Sequence, residues 1–428
     1  MKKVYIGLLG CGNIGSGVAK LLSEMAPSFR ESYRLEPVIK AMLVRDLGKQ
    51  RPEYVDMSLL TTDKDSVLGD PEIRYVVECL GGEHPSADWM CEALRAGKHV
   101  ITANKMALAL HWRELHEAAE AGHASLYYEA AVGGAMPIIK ILHDSLQANR
   151  IDRLTAIING TTNYLLTRMT DEGLSYQDVL RDAQALGLAE PDPSADVEGE
   201  DAMYKLSILS SLAFHCHLPV TSIEREGVTR IAQEDIRNAA ELGYSIKLLA
   251  HATHTEQGLD AYVAPMLVPK DHPLSSVKGA FNAVFLHGHA CGDMMIYGRG
   301  AGSAPTAGAM MSDLINAIIQ TSDDHAPQAA DCQNYETGPM LSDRCSAFYI
   351  RLSAQDATGV LAHVAASLSG HQIGVKALLQ PVERAMEGAQ ITILTHPASE
   401  KSVRAAVAAF DKNLVKVMNV LRVEANEV

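Results

Sequence analysis

The segment "VYIGLL", followed by "GCGNIG" and then "SGVAKLLSEM", restricts the fold more than any other part of the chain. Residues 4–9 read as a short buried strand, and Val18, Leu21, Leu22 and Met25 recur with helical spacing. Between them Gly10, Gly12 and Gly15 make G-x-G-x-x-G. The first glycine permits a tight turn, the second lets a pyrophosphate approach the backbone, and the third lets helix and strand pack closely. The free N–H groups of the helix start face the anion. Alone this motif is weak; between a strand and a helix it reads as a dinucleotide loop, with Asn13 and Ile14 inside it.

The alternation continues downstream. "LEPVIKAMLV" (35–44), "YVVECLGG" (75–82), "KHVITAN" and "SLYYEAAV" read as strands, with "DWMCEALRAG" and "HWRELHEAAEAGH" as helices between them. Strand–helix alternation implies a doubly wound parallel α/β sheet with right-handed crossovers, placed at 1–133. After "GGAMPI" the texture changes. "IIKILHDSL", "TNYLLTRM", "YQDVLRDAQALG" and "AMYKLSILSSLAF" are helical, while "AYVAPMLVP" and "FNAVFLHGH" suggest an antiparallel or mixed sheet. This gives an α+β domain at 134–304, and the helix after "YGRGAGSAPTAG" (about 305–330) could return to the first domain. Residues 344–428 read in the order βαββαβ, the ferredoxin-like pattern, behind a polar linker from Thr321 to Ser342. A chain of 428 residues suits two to three domains.

Composition narrows the function classes. Hydrophobic residues make up 47% and charged residues 21%, which fits a packed globular protein and excludes wholesale disorder. The net charge of −15 argues against nucleic-acid and anionic-membrane partners. The seven cysteines are scattered, odd in number and without CxxC, so reduced thiols in the cytoplasm are expected. No apolar run reaches the roughly 18 residues of a membrane span, and the basic start runs into the glycine loop without a cleavage signal.

At the end of the second strand, "VRDLGKQR" gathers Arg45, Lys49 and Arg51, which suits a 2′-phosphate. NADP(H) is therefore favoured. Asp46, able to take a ribose diol, keeps NAD(H) open as the alternative.

Asp201 and Lys205 stand i, i+4 and share a helix face. Alone such a pair reads as a surface salt bridge. A lysine beside a carboxylate in a partly dry cleft can instead be tuned to move a proton at working pH. "HCH" (215–217) and "HGHAC" (287–291) lack the paired spacing of a structural zinc site.

"TANKMALA" (102–109), "YYEAAVGGAMPII" (127–139), "NGTTNYLLTRM" (159–169), "AQALGLAEPDPSADVEGEDAMYKLSILSSLAF" (183–214) and "GRGAGSAPTAGAMMSDL" (298–314) occur in this order. Together they closely resemble homoserine dehydrogenases over nearly the whole chain, and residues 344–428 resemble the ACT regulatory domain that many of them carry. The resemblance implies reversible, NAD(P)-dependent interconversion of L-homoserine and L-aspartate 4-semialdehyde, in threonine and methionine biosynthesis. It implies Lys105 and Lys205 around the reacting oxygen, and Glu190 and Asp201 as carboxylates holding the substrate. The substrate's carboxylate wants donors, and the hydroxyls and amides of "NGTT", Gly160 and Thr161 among them, are candidates. Lys105 and Gly302 join Gly10, Gly12, Asn13, Ile14, Gly15, Arg45 and Lys49 at the cofactor. Glu129, Val132, Gly134 and Met136 occupy positions whose backbone binds a monovalent cation, usually Na+, in some members. A homodimer or homotetramer is expected, with threonine as effector.

Two departures stand out. The loop "DATGVLA" (Asp356–Ala362) carries Thr358 where the family usually has proline, which bears on effector binding and leaves a purely oligomerising role open. Ser303 stands where glycine is common. Two rivals remain: another amino-acid or oxo-acid dehydrogenase on this scaffold, and a non-catalytic dinucleotide sensor. A thiol nucleophile at Cys11 or Cys79 would indicate an acylating semialdehyde dehydrogenase, but neither has that family's setting.

Overall fold

Six strands carry the N-terminal architecture: β1 (Lys2–Leu9), β2 (Leu35–Leu43), β3 (Leu60–Thr61), β4 (Ile73–Glu78), β5 (His99–Thr102) and β6 (Leu126–Tyr127). All pair in parallel, in the order β3-β2-β1-β4-β5-β6. Central β1 is almost uniformly apolar because helices cover both faces; Ile6, Leu8 and Leu9 are fully buried. The order reverses between β1 and β4, which opens a crevice at the carboxyl ends of these strands. Our computed structural model describes residues 2–322, 336–380 and 389–425. It divides into two units, one of Met1–Asp152, Tyr204–Ile223 and Leu286–Gly338, the other of Arg153–Met203, Glu224–Phe285 and Pro339–Val428.

In the first unit, helix Asn13–Tyr33 and helix Ser303–Ser322 pack on the parallel sheet. The latter buries Ala307, Met310, Met311, Leu314, Ala317 and Ile318 against β-strand side chains such as Leu8, Val77 and Ile101. Two strand expectations shorten. The run 75–82 leaves the sheet at Glu78, whose Oε1 accepts the amides of Leu80 (2.8 Å) and Gly81 (3.2 Å) and folds the chain back. "SLYYEAAV" pairs only at Leu126–Tyr127, then makes a 3-10 turn over Glu129–Ala131.

His99 ties β5 to the segment entering β6: its Nδ1 accepts the Ser125 amide at 3.0 Å. Burial, reinforced by the charge of Arg74, pushes its imidazole down to about 4. A base held neutral stabilises the fold above its ordinary pKa of about 6.5, and loses that contribution as pH falls toward 4. Denaturant titrations of the wild type should therefore show stability falling by roughly 2–3 kcal/mol from this group as pH drops from 7 to 4. His99→Asn, which keeps an acceptor for Ser125 but cannot titrate, should lack that component; identical slopes in both proteins would contradict the assignment.

The second unit contains a mixed sheet. From Phe281–Gly288 onward its strands run in the order Phe281–Gly288, Ile151–Ile157, Tyr244–Thr255, Gly258–Pro269, Val415–Val423, Cys345–Ala354, Ala389–Thr395, Val375–Leu379. Strands Ile151–Ile157, Tyr244–Thr255 and Gly292–Arg299 were not among the sequence expectations. In Tyr244–Thr255 the alternation is broken by Lys247, which is buried yet satisfied, its Nζ donating to Asn163 Oδ1 (3.1 Å) and the Val277 carbonyl (2.5 Å).

From Cys345 onward the order is βαββαβ with one extra two-residue strand, Ala398–Ser399. Its four main strands pair antiparallel in the ferredoxin-like arrangement, the last strand beside the first. Helices Val360–Gly370 and Glu400–Ala408 cover one face through Val364, Leu368, Val403 and Ala406. Gly359 starts the first of these helices with φ +94°, a conformation costly for a residue with a side chain. A parallel pairing, Met266 with Arg422 and Leu267 with Val423, joins this sheet to the rest.

A buried ionic cluster locks the C-terminal sheet to helix Gln233–Glu241. Arg351 donates to Asp235 from Nε (2.6 Å) and Nη2 (3.0 Å). Tyr349 and Asn419 donate to the same carboxylate at 3.1 and 3.0 Å. Much of the expected polar linker, with Cys332 inside it, lies outside the described residues, as do positions 381 and 382 at the end of "IGVKALLQPV".

Candidate active site

The glycine loop has the geometry its sequence implies. Gly10 adopts φ +103°, and a Cβ there would sit 2.9 Å from the Cys79 carbonyl oxygen. A Cβ on Gly15 would fall 2.2 Å from the Gly10 carbonyl oxygen, so only glycine lets the helix start this close to the strand. At Gly12 a Cβ would meet nothing within 4 Å, leaving the backbone open to an incoming group. Gly12 caps helix Asn13–Tyr33 with no side-chain hydrogen bond, so the first-turn amides, Asn13 to Gly15 among them, remain as donors. The Asn13 carbonyl accepts the Ser303 hydroxyl at 2.9 Å, which brings Gly302 and the start of helix Ser303–Ser322 to the loop. Ser303 is therefore a brace in the position where glycine is common.

A cleft of about 660 Å³ opens here, and Gly10, Gly12, Arg45, Lys49, Arg51 and His84 are among its lining residues. At its basic end Asp46 is already engaged, its Oδ1 accepting the Gly48 amide at 2.8 Å. Arg51 braces the same turn through the carbonyls of Lys49 (3.1 Å) and Asp46 (3.3 Å). Its Nε is buried without a hydrogen-bond partner, which fits an anionic ligand. The thiols of Cys11 and Cys79, at the same cleft, are both pushed up by burial, which opposes a thiolate nucleophile at either.

Lys105 begins helix Lys105–Leu110 at the carboxyl end of β5. A short chain of bonds fixes it. Glu78, fully buried, accepts the Thr102 hydroxyl at 2.6 Å; Thr102 Oγ1 accepts the Asn104 amide at 2.9 Å. Asn104 then caps the helix through Ala107 N (3.1 Å) and donates to the Gly82 carbonyl (2.7 Å). Lys105 is thereby tied to the Cys79–Gly82 turn, part of which lines the cleft. Sequence reasoning missed Glu78, since nothing local marks a strand-end glutamate as the anchor of a lysine far downstream.

The loop of Glu129, Val132, Gly134 and Met136 follows β6. Both Glu129 side-chain oxygens accept amides, from Ile139 (2.9 Å) and Lys140 (2.8 Å), and its own amide donates to Asp313 (2.8 Å). Burial pushes this carboxyl up to about 7. Met136 donates its amide to the Gly133 carbonyl at 2.9 Å, and Gly134 packs so closely that a Cβ would lie 2.7 Å from the Gly300 carbonyl. The one carboxylate of the loop is thus already engaged, and the Gly133 and Met136 carbonyls accept the amides of Met136 and Ile138.

In the second unit, strand Ile151–Ile157 delivers "NGTT" to the start of helix Gly160–Glu172. Asn159 caps that helix (Thr162 N, 2.8 Å), and its Nδ2 donates to Asp201 Oδ2 (2.9 Å) and Asp196 Oδ1 (2.6 Å). Thr161 Oγ1 donates to the Leu188 carbonyl at 3.0 Å, holding the loop that carries exposed Glu190. Gly160, Thr161, Asp201 and the Glu190 loop are thus grouped, with Asn159 as the missed organiser; its place before "GTT" is the N-cap signal. Asp196 orders the loop. Helix Glu200–Ala213 carries Asp201 and Lys205 on successive turns, and both are buried, so the surface salt-bridge reading does not hold.

Comparison with known proteins agrees with these motifs. Residues 10–129 match the family model "Homoserine dehydrogenase, NAD binding domain", and residues 137–315 match the model "Homoserine dehydrogenase". The homoserine dehydrogenase of Synechocystis sp. is 40% identical over 414 residues, 94% of this chain and 95% of that protein. The crystal structure of a homoserine dehydrogenase from Thiobacillus denitrificans superposes with a TM-score of 0.92 at 39% identity, covering 99% of each chain. A hyperthermophilic archaeal homoserine dehydrogenase mutant in complex with NADPH matches 74% of this chain and 98% of its own, with a TM-score of 0.63 and 25% identity.

Proposed function

The chain belongs to the homoserine dehydrogenase family, and from that premise we propose that it interconverts L-homoserine and L-aspartate 4-semialdehyde with NADP(H), in the route to threonine and methionine. The dinucleotide, when bound, would supply through its nicotinamide a hydride acceptor or donor for the substrate's terminal carbon. Gly10, Gly12, Asn13, Ile14 and Gly15 offer backbone amides to the pyrophosphate, and Arg45, Lys49 and Arg51 take the 2′-phosphate. Lys205 accepts the hydroxyl proton as the neutral amine during oxidation and returns it as the ammonium during reduction, with Lys105 as the second amine-bearing side chain at the same oxygen. Asp201 and Glu190 hold the substrate ammonium, and Gly160 and Thr161 its carboxylate. The carbonyls of the Glu129–Met136 loop suit Na+, a cation that takes oxygen ligands. The reading rests above all on Asp201 and Lys205. Both side chains are buried one helical turn apart, where a neighbouring charge and desolvation can tune a lysine for proton transfer.

The βαββαβ segment is proposed as an ACT unit that binds threonine and lowers activity, in a cytoplasmic homodimer or homotetramer. Steady-state rates with and without threonine test this, and indifference to threonine would leave the segment an assembly role.

The activity itself is read as nicotinamide absorbance appearing with L-homoserine and not with L-serine or L-threonine. Dinucleotide choice is tested with Arg45→Ala/Lys49→Ala, which leaves Arg51 bracing the turn. Charge-assisted hydrogen bonds contribute roughly 1.5–3 kcal/mol each, so KM for NADP should rise about tenfold or more with KM for NAD little changed. An equal rise for both cofactors would remove the 2′-phosphate from the model.

A further inference from the structure

We propose that Glu83, His84 and His111 form a binding site for a divalent transition-metal ion, Zn2+ or Co2+, at the rim of the dinucleotide cleft. Their ligand atoms lie within 4.8 Å of one another. Glu83 Oε1 is 3.0 Å from His111 Nε2 and 3.5 Å from His84 Nε2. Around a tetrahedral zinc with bonds of about 2.0–2.1 Å, ligand atoms stand roughly 3.3 Å apart, so both separations are close to an edge of such a site. Two imidazoles and one carboxylate are also a donor set that divalent transition ions accept readily.

The outer sides of the rings carry the argument further. His84 Nδ1 is 2.9 Å from Asp88 Oδ2, and His111 Nδ1 is 2.9 Å from Glu114 Oε2. Each imidazole is therefore bracketed by two carboxylates. Without an ion, each ring can meet its bracket as the imidazolium, which donates from both nitrogens. An ion seated between the two Nε2 atoms and Glu83 would take the place of the Nε2 protons: each Nδ1–H donates outward, and each Nε2 lone pair is turned to the ion. A carboxylate behind each ligating histidine is the usual outer support of such sites. The rings are already set edge to face, with centroids 5.1 Å apart and planes at 73°. His84 also lines the cleft, so the ion would sit against the wall that meets the dinucleotide.

The test uses the full chain, stripped with chelator and titrated with Co2+, followed by visible d–d absorption. The proposal predicts one Co2+ per chain, displaced by Zn2+. The band should be lost in Glu83→Ala and in His84→Ala, which replace side chains at exposed or half-buried positions and spare the fold. Asp88→Asn should weaken binding by about 10–100-fold. His287→Ala/His289→Ala, in a histidine-rich stretch elsewhere in the chain, should leave the band intact. Absence of a band in the wild type, its survival in Glu83→Ala and His84→Ala, or its loss in His287→Ala/His289→Ala would each overturn the site.

Discussion

Replacing Lys205 with alanine is expected to lower kcat for homoserine oxidation at least about 100-fold, the scale of a positioned general acid–base. Lys205 is buried in the middle of a helix, where alanine is the best helix former, so the backbone should persist. The local frame should persist too, because Asp201 keeps its bond from Asn159 Nδ2 at 2.9 Å. A merely structural lysine would alter thermal stability and leave turnover near the wild type. A proton-handling lysine instead leaves dinucleotide affinity alone and removes one limb of the pH–rate profile. Near-normal kcat in Lys205→Ala would take this residue out of the mechanism.

The second large effect concerns stability. Asp235→Ala should cost about 3–5 kcal/mol, the scale for stripping one partner from a buried ion pair. The substitution leaves Arg351 with its guanidinium buried and two donors unpaired, and removes the acceptor used by Tyr349 and Asn419. The Ala232 amide loses its bond as well, 3.0 Å in the native protein. Denaturant unfolding followed by a probe in the C-terminal sheet measures the loss. The pair replaced together, Asp235→Leu/Arg351→Met, should recover much of it, since the cost lies in the unpaired charge and not in the missing attraction. A single variant as stable as the wild type would mean that water reaches Arg351 and that the cluster is not buried as drawn.

How far these features could be read in advance depended on whether their signal was local. The parallel sheet was legible because each strand and helix announces itself by period, and because G-x-G-x-x-G has meaning only between a strand and a helix. Asp201 and Lys205 were legible as a pair from their spacing. Their burial was not, since a charged face and a lined pocket have the same i, i+4 pattern. The strand Tyr244–Thr255 escaped because Lys247 interrupts its apolar run, and its partners Asn163 and Val277 come from other elements. Asp235 and Arg351 are 116 positions apart, and nothing near either residue shows that they meet. The same holds for Glu78 and Thr102, and for Glu83 and His111, which only the sheet order brings together.

The central claim is that Lys105 and Lys205 act on one oxygen. A crystal structure of the protein with dinucleotide and L-homoserine tests it most directly. The account predicts both Nζ atoms within hydrogen-bond reach of the substrate hydroxyl, about 2.6–3.2 Å, with the terminal carbon facing the nicotinamide. Substrate bound with either amine turned away from that hydroxyl would contradict it.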